Sequence, residues 1–304
     1  MQTSRQKLTD RLRDALLSRR NADGGWGYFA GKQTRLEPTC WATLALADVG
    51  RGFSPGEVAA GVGRGFSPGD LPVLKGRPTW RHDVPGTPVN YTFQALCGLT
   101  LAGSPATRAQ SLDIARALLD VRGVTFEPSA VIKQDNSLQA WPWVDQTFSW
   151  AEPTSVVLVL LKRLRKELPA AAGERIAIGE RVLADRVCAT GGWNYGGSNA
   201  FGQNLPAYVP TTAWGLLALQ DRADDPVVTR SMARLVEDLR TEMSPQALAL
   251  AAIALRVYRK DAAAALAALD TQAEAALAHG NVASIAMTLY AFTGKEHKDA
   301  AFRV

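Results

Sequence analysis

The stretch D-G-G-W-G-Y at Asp23 to Tyr28 leads, after a short spacer, into L-E-P-T-C-W-A-T-L-A-L at Leu36 to Leu46. The same phrase of glycines, rings and a proline-led apolar run returns twice. It stands as W-P-W-V-D-Q-T-F-S-W-A-E-P-T at Trp141 to Thr154, and as G-G-W-N-Y-G at Gly191 to Gly196 with P-T-T-A-W-G-L-L-A-L from Pro210. Repetition on this scale marks a chain built from stacked supersecondary units.

Six apolar segments of helical length fall into register, starting at Pro38, Pro88, Pro153, Pro210, Ser244 and Asn281. Five carry proline at or near the first turn, where a missing N–H costs nothing. All are apolar on nearly every side, the mark of a helix buried all round. Between them run amphipathic segments, from Ser4, Thr107, Glu174, Pro226 and Asp261, with apolar residues at three- and four-residue steps. A sixth outer element is weak: R-G-F-S-P-G occurs at Arg51 and again at Arg64, and such glycines make a poor helix, so the stretch reads as mostly loop. Buried and amphipathic helices in alternation predict an all-α fold, an (α/α)6 toroid of six helical hairpins spanning residues 1–304 as one domain. An open solenoid would leave the inner faces of its end repeats uncovered, and neither terminus resembles a polar cap.

A hydrophobic fraction of 47% against 21% charged is enough for a substantial core. The net charge of +5 is spread along the chain without interleaved aromatics, so no nucleic-acid surface is expected. It reads as a solubility feature, with peripheral contact to an anionic membrane surface as a lesser role. Cys40, Cys97 and Cys188 lie far apart and read as reduced thiols. The most apolar run, from Ser155 to Leu161, is far too short to span a bilayer, and the first residues lack a secretory apolar core. The expected location is the cytoplasm; the oligomeric state is left open.

The inner segments are unevenly spaced: Pro210 to Pro245 is 35 residues, and Pro88 to Pro153 is 65. The extra length lies in connections that enter inner helices, and in an alternating ring those connections share one end. Three carry paired rings: Trp26 with Tyr28, Trp141 with Trp143, and Trp193 with Tyr195. Long loops of this kind carry function. Trp26, Trp141 and Trp193 read as clamps between hairpins. Tyr28, Trp143, Phe148, Trp150 and Tyr195 are candidates for a cavity lining, and Trp41 and Trp214 face either the hole or the outer ring. Glu37 and Glu152 each precede a proline, where a carboxylate suits a helix N-terminus. The functional reading points Glu37, Glu152 and Asp145 into the aromatic mouth. A poorly hydrated carboxyl there holds a proton at neutral pH, and ring faces stabilise a developing cation.

These motifs resemble the prenyltransferase and squalene-oxidase repeat superfamily, whose α/α toroids include squalene–hopene cyclases, class II diterpene cyclases and protein prenyltransferase β subunits. The resemblance runs from the first repeat to about Leu219 and is nearest to short bacterial single-toroid members. It implies a terpenoid-cyclase-like protein acting on an apolar isoprenoid chain. Glu152 would stand at the middle, acidic position of the family's Asp-x-Asp-Asp motif, although Trp150 and Pro153 replace its flanking acids. The zinc ligands of the prenyltransferases are not matched: Cys40 is in place, but Pro38 occupies the acidic position and no suitable histidine follows. No metal and no cofactor are therefore expected. The alternative reading is a non-catalytic toroid that binds an apolar ligand or a partner protein.

Overall fold

The structure, a computed structural model, describes residues 4–49, 87–127, 133–294 and 301–304. Among these residues the chain forms eleven α-helices. In order they are α1 (Ser4–Ser18), α2 (Leu36–Val49), α3 (Tyr91–Leu101), α4 (Arg108–Leu118), α5 (Ala151–Arg163) and α6 (Ala171–Arg186). Then follow α7 (Val209–Ala218), α8 (Pro226–Asp238), α9 (Pro245–Val257), α10 (Ala263–His279) and α11 (Val282–Thr293).

The ring is closed. Helices α2, α3, α5, α7, α9 and α11 pack each on the next, and α11 returns to pack on α2. They are the apolar segments of the sequence, and their burial follows: in α9 every residue from Ala247 to Leu255 is buried. The amphipathic helices lie outside them, with α4 on α3, α6 on α5, α8 on α7, α10 on α9, and α1 across α11. Each outer helix buries a single stripe, as α8 does with Val228, Ser231 and Leu235. On the outer surface Arg5 and Arg11 of α1 pair with Asp270 and Glu274 of α10. The all-α toroid is thus established; the glycine-rich stretch from Arg51 to Gly69 lies outside the described residues. One short hairpin interrupts the helices, Asn199–Ala200 with Gln203–Asn204, turning through Phe201 and Gly202 at positive φ.

The repeated phrase is a staple. Trp26, Trp141 and Trp193 are fully buried. Each indole Nε1 donates to a carbonyl in the last turns of the preceding outer helix: Leu16 at 2.7 Å, Leu118 at 2.8 Å and Leu183 at 2.7 Å. Each tryptophan's backbone N–H donates to a threonine of the next inner helix, Thr39 at 2.9 Å, Thr154 at 3.4 Å and Thr212 at 3.0 Å. One residue thereby fixes the end of an outer helix to the start of an inner one. The glycines make room for it. A Cβ at Gly215 would overlap the Trp193 ring, and one at Gly192, at φ +75°, would meet Thr212 Oγ1 at 2.6 Å.

The remaining starts use short side-chain caps. Asn90, Ser244 and Asn281 accept from the backbone N–H of Phe93, Ala247 and Ser284. This moves the start of α3 to Tyr91, three residues past Pro88.

Candidate functional site

Aligning the six inner helices by their first turns shows what faces the hole. The second residues of α2, α3, α5, α7 and α9 are Glu37, Thr92, Glu152, Pro210 and Gln246, and all line one cavity. Four residues further on, one helical turn deeper, the same face presents Trp41, Leu96, Val156, Trp214, Leu250 and, from α11, Met287. The cavity of about 220 Å³ is therefore two-layered, with acids, hydroxyl and amide at the mouth and apolar side chains below. Ser244 and Tyr195 complete the rim.

Glu152 is a strongly perturbed carboxyl group. Its pKa is pushed from the ordinary 4.5 up to about 7, first by burial and then by the charge of Glu37, against a hydrogen bond from Trp143 that favours the carboxylate. Glu152 is not the helix cap: Trp150 occupies that position, and its side chain makes no capping bond. Across the mouth, Tyr28 donates its hydroxyl to Glu37 Oε2 at 2.5 Å. Thr92 Oγ1 is buried in the upper layer without a hydrogen-bond partner among the described residues. A buried hydroxyl left unpaired is costly, and a ligand or water in the cavity would satisfy it.

The candidates from the sequence divide into two groups. Glu37, Glu152, Trp41, Trp214 and Tyr195 line the cavity. Trp143, Phe148 and Trp150 form a stack beside it, with Trp150 4.7 Å from Trp143 and 4.3 Å from Phe148 between ring centroids. They back Glu152 and the Tyr195 ring, which lies 5.8 Å from Trp143. Tyr28 reaches the site through Glu37. Asp145 stays at the exposed surface, where the Tyr91 hydroxyl donates to it at 2.6 Å, and it is not part of the cavity wall. Burial and the neighbouring Asp145 together hold the Tyr91 phenol above its ordinary pKa. Sequence reading missed Thr92, Ser244 and Gln246. Their signal is positional: each lies at the start of an inner helix, in or beside the register of the two glutamates.

Among the described residues no group of His, Cys, Asp and Glu is arranged to hold a metal ion. Among them, too, no helix is long and apolar enough to cross a membrane.

No family model matches the chain, and no curated protein sequence matches it. Solved structures do share the fold. A protein from Actinoplanes superposes with a TM-score of 0.51 at 19% identity, covering 91% of this chain and 81% of its own. The glycoside hydrolase family 76 mannosidase Bt3792 from Bacteroides thetaiotaomicron superposes with a TM-score of 0.54 at 10% identity, covering 84% of this chain and 82% of its own. Rex8A from Paenibacillus barcinonensis, solved in complex with xylose, gives a TM-score of 0.49 at 11% identity, covering 99% and 95%. Identities this low speak to the fold alone.

These findings correct the isoprenoid expectation. The helical ring stands, but the neighbour above with a stated activity, Bt3792, is a mannosidase, and no family model places the chain in the superfamily suggested by the repeats. The apolar isoprenoid-like partner and the terpenoid-cyclase assignment fall with it. The cavity itself is small beside the roughly 300–1,000 Å³ of common small-molecule sites, and its mouth is polar where a prenyl chain would need apolar wall.

Proposed function

We propose that the protein hydrolyses a glycosidic bond, with Glu152 as the general acid and Glu37 as its carboxylate partner. The observation that carries this reading is the pair itself: two glutamates of unlike surroundings facing one cavity, one of them held protonated up to about pH 7. Two carboxyl groups flanking the scissile bond are the usual equipment of glycoside hydrolysis. The mannosidase that shares the fold supports the same substrate class by analogy only.

The chemistry follows from the environments. Glu152, poorly hydrated, gives its proton to the glycosidic oxygen as the C–O bond breaks, so the leaving sugar departs as a neutral alcohol. Glu37, oriented by Tyr28, presents negative charge to the electron-poor anomeric carbon until water attacks it. The water's proton passes to Glu152, by then a carboxylate, which restores the acid. The two layers of the cavity suit a sugar ring. Thr92, Ser244 and Gln246 offer hydrogen bonds to its hydroxyl edges, and Trp41, Trp214 and Tyr195 offer rings to its C–H faces.

The test is a panel of nitrophenyl glycosides with mannose- and xylose-based oligosaccharides. At least one should be hydrolysed, with kcat falling as pH rises through about 7, because the acid must carry its proton. Glu152→Gln should lower kcat by roughly 10²–10⁴-fold with the fold intact. A wild-type protein that leaves the whole panel uncleaved would overturn the assignment.

A further inference from the structure

Below the apolar layer the hole does not continue. Helices α2 and α7 stand on opposite sides of the ring, yet their tryptophans meet across it: the rings of Trp41 and Trp214 are 6.3 Å apart. Beneath them sits Phe302, from the end of the chain, fully buried. Its ring lies 5.6 Å from Trp41, 5.7 Å from Trp214 and 5.7 Å from Tyr290 of α11. Three inner helices thus converge on a side chain that belongs to none of them.

The segment carrying Phe302 is fastened to the far end of the ring. Gln220 Nε2 donates to the Phe302 carbonyl at 2.7 Å, and Val304 N donates back to Gln220 Oε1 at 3.3 Å. Arg303 reaches the carbonyls of Arg256 and Val257 at the end of α9, while Arg163 of α5 donates to the Arg303 carbonyl. Cationic side chains are favoured at helix C-termini, where the orphan carbonyls and the negative dipole end lie. The tail therefore enters the end of the ring opposite the glutamates.

We infer that Phe302 is the floor of the site and a specificity-determining residue. It closes the ring from below, holds Trp41 and Trp214 across the lumen, and so limits the ligand to a single ring-sized unit that enters and leaves by the glutamate mouth. The depth part of this inference stands on the geometry; naming the unit as one sugar residue rests on the glycosidic reading.

Two probes separate these parts. Benzene, the size of the phenyl ring removed, is titrated by calorimetry into wild type, Phe302→Ala and Phe302→Leu, with soaked crystals to place it. Phe302→Ala should bind benzene at least about 10-fold more tightly than wild type, in the vacated space against Trp41 and Trp214, and Phe302→Leu should stay near wild type. Equal binding in all three, or benzene seated elsewhere, overturns the floor. Should Phe302→Ala fail to fold, Gln220→Ala loosens the tail without hollowing the core and should raise benzene affinity in the same direction. For specificity, the trisaccharide-to-monosaccharide affinity ratio should rise at least about 10-fold in Phe302→Ala. An unchanged ratio, with benzene in the floor position, overturns the selecting role. If no sugar binds any variant, the glycosidic reading and the sugar naming fall together, while the benzene result still decides the floor.

Discussion

Two kinds of hairpin build this ring. Those entering α2, α5 and α7 are stapled by Trp26, Trp141 and Trp193, each bonded to two helices at once. Those entering α9 and α11 are short and closed by the side chains of Ser244 and Asn281. A staple immobilises a long connection from within, so the connection can carry further rings to the mouth. A cap only ends a helix. The acids and most of the aromatics of the mouth stand on stapled hairpins, while the capped ones, α3 with its Asn90 cap among them, contribute Thr92, Phe93, Ser244 and Gln246.

That contrast makes graded predictions for thermal or denaturant unfolding. Trp193→Ala should cost about 3–5 kcal/mol, since it removes a fully buried ring and leaves the Leu183 carbonyl without its donor. If it costs no more than the loss of a cap, the staple is ornamental and the contrast fails. Glu152→Gln should stabilise the protein by roughly 2–3 kcal/mol at pH 8 and by little at pH 4. The sign follows from the raised pKa: the folded state binds the Glu152 proton more tightly, so stability falls as pH rises from 4.5 to about 7 and is flat above. Melting curves of both proteins across that range check it, and parallel curves would remove Glu152 from its proposed role. Ser244→Ala should cost only about 1 kcal/mol, the usual worth of an N-cap, sharpening the difference between the two hairpin types.

The staple also explains a misalignment. Reading the copies by their prolines sets Pro210 beside Pro38 and Pro153. The bonded threonines are Thr39, Thr154 and Thr212, which moves the third copy by one residue and sets Pro210 beside Glu37 and Glu152. The third stapled hairpin therefore brings no acid to the mouth. In the same register Trp214 falls opposite Trp41, and the ambiguity over whether those rings face inward disappears. With the first turns aligned, Thr92 and Gln246 are legible as well. Without that alignment they are ordinary polar residues near helix starts.

Asp145 shows the limit from the other side. It sits in the most decorated loop, in the phrase W-P-W-V-D, and belongs chemically with the acids. A loop of that length leaves its direction undetermined, and the Tyr91 hydroxyl holds it at the surface.

The sequence by itself determined the alternation of buried and amphipathic helices, because periodicity and burial are local properties of each segment, whereas closure of the ring was an expectation met only by α11 packing on α2. It also placed the two glutamates at equivalent steps. Only the tertiary structure decided what lies beneath them: Trp41 meeting Trp214 across the ring, and Phe302 rising from the other end. Contacts between residues this far apart in the chain depend on the ring's diameter and on which face each helix turns inward. No local pattern encodes either.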